Sequence, residues 1–119
     1  MATRFFILVA AFVMAPAAIA HHGWSWTSGE NLELTGTIVE ARLGNPHGTL
    51  VMDIDGETWT VEVGQPWRNE RAGIRDGDLA PGVLLKVSGQ PSRDPEERRL
   101  KVERLWIDGT LHELYPQRD

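Results

Sequence analysis

The stretch Leu32-Glu33-Leu34-Thr35-Gly36-Thr37-Ile38-Val39-Glu40-Ala41-Arg42-Leu43 changes hydrophobic phase part-way along. Leu32, Leu34, Gly36 and Ile38 share one face of an extended strand; Val39, Ala41 and Leu43 continue on the other parity. A strand of period two changes phase only through a bulge or strong coiling. Gly36 stands just before the change and permits the bend. A long first strand that serves two sheets is what a small closed barrel requires.

The segments that follow fit a barrel. Asn45-Pro46-His47-Gly48 has turn composition. Leu50, Met52 and Ile54 alternate along a second strand, and Asp55-Gly56 is a two-residue hairpin signal. Trp59, Val61 and Val63 mark a third strand with Trp59 in phase with the core. Pro66 suits the first turn of a short helix and Gly73 its stop. Trp67, in that first turn, is placed to plug one end of the barrel. Val83, Leu85 and Val87 give a fourth strand. The fifth begins with Leu100 and Val102 inward and shifts phase to Leu105 and Ile107, which leaves Trp106 out of phase. Asp108-Gly109 signals another hairpin, leading to Leu111 and Leu114. The order β-β-β-α-β-β plus a terminal strand predicts an all-β, small antiparallel barrel resembling the OB-fold. Another small barrel or meander is the competing architecture, and the two split-phase strands favour closure.

Upstream of the barrel, Arg4 precedes an apolar run from Phe5, then Pro16 and Ala18-Ile19-Ala20. These are the three regions of a secretory signal peptide. The run holds about eleven apolar residues, short of the ~20 that span a bilayer. The expected organisation is a signal peptide over 1–20, an arm over 21–30 and the barrel over 31–119. Cleavage after Ala20 would deliver a periplasmic or secreted protein without membrane insertion.

Losing Arg4 leaves 11 basic against 17 acidic side chains, a formal charge of −6. That balance opposes nucleic acid and anionic membranes as partners. Cysteine is absent, which excludes thiolate metal sites and thiol redox chemistry. No serine lies in a nucleophile-elbow pattern, and no glycine-rich phosphate loop occurs. Asp53, Asp55, Glu57 and Glu62 alternate with apolar residues and read as a solvated sheet face. Arg93, Arg98, Arg99, Lys101 and Arg104 interleave with acidic residues and read as a solvated hairpin. No catalytic set emerges, and a non-enzymatic module for a periplasmic protein or small ligand is expected.

The histidines offer a second possibility. Cleavage after Ala20 would make His21 the first residue, with a free amine beside its imidazole. Such a residue chelates copper, and one further imidazole completes a three-nitrogen site suited to tetragonal Cu(II). His47, held in its turn by Pro46, is the candidate third donor; His22 is adjacent to the chelate. The bland alternatives are a solvated remnant at 21–22 and a turn-capping His47. His112, on the last strand, is expected to be exposed. Trp24 and Trp26, on one side of the arm, are placed to pin it across the barrel.

His21-His22-Gly23-Trp24, Leu34-Thr35-Gly36-Thr37-Ile38, Asn45-Pro46-His47, Leu79-Ala80-Pro81-Gly82 and Val87-Ser88-Gly89 together resemble an exported bacterial family catalogued as domain of unknown function 6152. That family commonly has Ser where this chain has Gly23. The resemblance implies a small exported β-rich domain. It implies no established activity.

Overall fold

The computed structural model describes residues 23–118. The proposed signal peptide, His21 and His22 lie outside them. Six strands and one helix follow in order: β1 (Leu32–Arg42), β2 (Thr49–Ile54), β3 (Glu57–Glu62), α1 (Pro66–Arg71), β4 (Leu84–Pro91), β5 (Arg99–Ile107) and β6 (Thr110–Glu113). They hydrogen-bond in the order β3-β2-β1-β4-β5-β6, and β3 also pairs with β5. The first five strands thereby close an OB-like barrel, with β6 appended. Neighbours are antiparallel, but the closing β3–β5 pair is parallel. Five strands that alternate in direction around a ring bring first and last together pointing the same way, so the barrel is mixed.

β1 is the strand that turns the corner. Its first half, Leu32 to Thr37, pairs with β4, and its second half, Thr37 to Arg42, pairs with β2. The register slips between Ile38 and Glu40, so Val39 is the bulged residue. The phase therefore changes as expected, but Val39 and Leu43 are exposed and do not continue the core. Gly36 serves a close approach. A Cβ there would overlap the Asp53 carbonyl oxygen and meet Ile54 Cγ1 at 2.7 Å.

The second phase shift has the same origin. Ser88 pairs with Arg104 but Gly89 with Val102, which leaves Glu103 as the extra residue of β5. Leu100 and Val102 before it and Leu105 after it are fully buried. Gly89 lies against the bulge: a Cβ there would overlap the Lys101 carbonyl oxygen and sit 2.9 Å from Val102 Cα.

Both Asp-Gly hairpins form, with Asp55, Gly56, Asp108 and Gly109 all at positive φ, as a type I′ turn demands. The core joins Ile38, Leu50, Met52, Ile54, Val61, Val63, Leu85, Val87, Leu100, Val102 and Leu105 inside the barrel. Trp59 packs against it and is only partly buried. Trp67 does not plug the barrel; it is 50% exposed. Its ring lies 4.5 Å from the Arg68 guanidinium, and the buried Ile74 and Leu79 that follow α1 join the core instead. Asn69 fixes the helix to its entry by accepting from Gly64 N and donating to Gly64 O. No described helix is long and apolar enough to cross a membrane.

Candidate functional site

Ahead of the bulge in β5 the odd-numbered residues alternate with the core residues Leu100 and Val102, yet Lys101 is 6% exposed, and the bulged Glu103 is wholly buried. Two segments cover them. The first is the arm. Thr27 bridges to Ser92, Ser28 N donates to Pro91 O and Arg93 N donates to Trp26 O. A turn closed by Thr27 N donating to Trp24 O then aims both tryptophans at the barrel. The second is the tail after β6. Leu114 N and Tyr115 N both donate to the Glu103 carbonyl, the oxygen that the bulge displaces from the ladder.

Cations and rings interleave between these layers. The Arg99 guanidinium lies 3.9 Å from the Trp26 ring. Trp24 takes Arg118 at 3.8 Å and the Lys101 ammonium at 5.0 Å, and Tyr115 meets it edge-on at 5.0 Å. Arg68 lies 4.1 Å from the Tyr115 ring and 4.5 Å from that of Trp67. Burial pushes the Lys101 pKa down. Glu62 opposes the shift, and Arg99, Arg118 and Arg68 add to it. Burial pushes the Tyr115 phenol up, with Arg68 the main opposing charge. The arm and tail therefore roof a polar, half-dry layer rather than a second apolar core.

Glu62 is the anion at the centre of this layer. It ends β3, lies in register with Lys101 across the parallel pair, and its side chain is 3% exposed. Its Oε2 accepts from Arg99 Nε at 2.6 Å. Its Oε1 faces His47 Nε2 at 3.0 Å. His47 Nδ1 lies 3.1 Å from the carbonyl oxygen of Gly48. Gly48 in turn is bound on both sides, donating to Gly64 O and accepting from Val63 N. The turn that carries His47 is thus stapled to the end of β3. Lys101 Nζ also donates to Gly23 O at 3.3 Å. The first described residue of the arm therefore lies beside the cation that neighbours Glu62, which in turn contacts His47.

Of the expected ligands, His47 sits half-buried at this layer, while His21 and His22 lie outside the described residues. Among the described residues, no three His, Cys, Asp or Glu side chains gather to hold a metal. His112 is not exposed. Its Nδ1 lies 2.8 Å from the carbonyl oxygen of Ala72, just after α1. Glu62, Arg99 and Lys101, expected on solvated faces, are instead roofed. Their alternation with apolar residues is what an exposed face shows too. The one signal of a roof in the sequence is Trp24-Ser25-Trp26, two large rings that need a surface.

The chain matches the family described as "Family of unknown function (DUF6152)" over residues 9–101. The resemblance carried by its motifs points to the same family. No curated protein matches. Solved structures with a similar fold include the ZRD-deleted mutant of TiaS in complex with agmatine, at TM-score 0.52 and 17% identity over 71% of this chain and 26% of that one. Another is a complex of TiaS with tRNA, AMPCPP and agmatine, at TM-score 0.50 and 19% identity over 66% of this chain and 18% of that one. The chain thus spans about a quarter or less of these two structures, and at these identities the likeness is one of fold alone.

Proposed function

The chain belongs to the DUF6152 family of unknown function, and from its own residues we propose that it is an exported, non-enzymatic periplasmic module whose ligand is a divalent metal ion, Cu(II) foremost. The observation that carries this reading is the convergence of the arm and the His47 turn on Glu62. Gly23 contacts Lys101, Lys101 is in register with Glu62, and Glu62 contacts His47. Two residues of extended chain reach about 7 Å. Cleavage after Ala20 would put the new amine and the His21 ring two residues upstream of Gly23, which lies beside Lys101. The amine, the His21 ring and the His47 ring would then supply three nitrogen donors, which suit Cu(II); His22 would lie between chelate and arm.

The barrel's part is to hold His47 and the arm in place. Nucleic acid is not the ligand in this reading, although one fold neighbour was solved with tRNA. The expected charge of −6 repels a phosphate backbone, and the cations of the layer are engaged with rings and carboxylates.

Copper titration of three forms tests the proposal: protein starting at His21, the same protein with an added N-terminal Met, and His47→Ala. Binding should be tightest in the first and at least tenfold weaker in the other two. Equal binding by all three would remove the proposed site and leave a module for a protein or other small ligand.

A further inference from the structure

We propose that the cleft between α1 and the tail binds a small carboxylic acid with an apolar body. The cleft holds about 320 Å³, and its lining includes Arg68, Arg71, Ala72, Leu111, Glu113 and Pro116. That volume lies at the lower end of the range for ligand pockets. The cleft shares no residue with the contacts of Glu62 and His47, so this inference stands apart from the metal reading.

The charges of the cleft carry the argument. Arg68 and Arg71 stand three apart in α1, which places them as neighbours on one side of the helix. Arg98 shows what a guanidinium takes when a carboxylate is at hand: its Nε and Nη2 donate to the two oxygens of Glu57 at 2.8 and 3.1 Å. Among the described residues, Arg68 and Arg71 have no such partner. Arg68 Nη1 donates to the Leu114 carbonyl oxygen at 3.0 Å, and its Nε is buried without a hydrogen-bond partner. Its other contacts are the rings of Trp67 and Tyr115. Its stem lies so close to Gly64 that a Cβ there would meet it at 2.8 Å. The guanidinium is thus fixed in place, half-buried, and its charge is not neutralised. A fixed guanidinium of this kind is preorganised for a carboxylate. Nη2 of Arg68 and the exposed Arg71 are left to donate to it.

Glu113 sets the charge of the ligand. It also lines the cleft, and its nearest approach to a cation is 3.8 Å, to Arg104 Nε. Two guanidiniums against one carboxylate leave one net positive charge, which matches a monoanion better than a phosphate dianion. Leu111 sets the body. It is one of the large apolar side chains that the fold leaves exposed, at 45%, and an apolar group laid on it gains from leaving water.

The test is titration of 15N-labelled protein with benzoate, followed by amide chemical shifts, beside benzyl alcohol, acetate and inorganic phosphate at matched ionic strength. Benzoate should shift the amides of Ala72, Leu111 and Leu114 and saturate. Benzyl alcohol, which lacks the charge, should bind roughly tenfold more weakly, the least that a hydrogen bond to a charged group is worth. Acetate lacks the body and phosphate carries the wrong charge, so both should also bind more weakly than benzoate. Arg68 anchors the tail, so the variant of choice is the exposed Arg71→Gln, which should fold as the parent does and lose roughly tenfold in benzoate affinity. Leu111→Ser should weaken benzoate and leave acetate unchanged. Benzyl alcohol or phosphate binding as tightly as benzoate, shifts confined to other surfaces, no saturable shift, or unchanged affinity in Arg71→Gln would each overturn the proposal.

Discussion

At the residue scale, burial decides what the charged side chains do. Lys101 is the clearest case. Its pKa is lowered, first by desolvation, so between that lowered value and the ordinary 10.5 the unfolded chain binds more protons than the folded one. Stability contributed by this residue therefore rises with pH across that window. Tyr115 works in the opposite sense, and only above its ordinary value of 10.0, because its pKa is raised in the folded state. Comparing denaturant midpoints of parent and Lys101→Met from about pH 7 to pH 10 isolates the lysine. The parent should gain on the variant as pH rises; a constant difference would show that Lys101 carries no folding-linked shift. The same layer shows what cannot be read from the chain. Glu62 and Lys101 alternate with apolar neighbours in the manner of exposed residues. Their burial comes from segments distant in sequence, and no local pattern encodes that. His47 is legible as a turn residue because Pro46 and Gly48 flank it. The carboxylate it faces is not, since it arrives from β3.

At the element scale, two bulges close the barrel. Their existence is legible, because the hydrophobic phase changes in β1 and again in β5. Their positions are legible too: Glu103 falls between Val102 and Leu105, where the phase shifts, and Val39, the first residue of the new parity in β1, is the extra residue there and is exposed. The parallel closing pair and the appended β6 follow from strand order rather than from any one segment. The second bulge depends on Gly89, which lets β4 and β5 approach where Glu103 is expelled from the ladder. A methyl group at Gly89 would meet backbone, which cannot step aside as a flexible side chain can. Gly89→Ala should therefore destabilise by about 3 kcal/mol, the upper part of the usual overpacking range. Gly56→Ala is the control. It meets nothing within 4 Å but lies at φ +81, so its cost should be about 1–2 kcal/mol, from backbone conformation alone. Thermal or denaturant unfolding of the two variants measures both. A Gly89→Ala protein as stable as the control would mean that the strands do not approach as described.

At the scale of the whole molecule, the barrel carries two flanking segments. The arm and the tail are separated by the full length of the domain in sequence, and they meet over β5. There Trp24 lies against Tyr115 and Arg118, and Arg104 Nη2 donates to Arg118 O. With no cysteine in the chain, this layer of rings and cations does the stapling that a disulfide provides in many small exported domains. In the proposed function the consequence is placement: the arm is held at Lys101, in register with the Glu62 that contacts His47. The most direct measurement is an anomalous diffraction map, collected at the copper absorption edge, of crystals of the protein starting at His21 loaded with one equivalent of Cu(II). A single strong peak about 2.0 Å from His47 Nε2 is expected. Peaks confined to surface carboxylates, or none at His47, would contradict it.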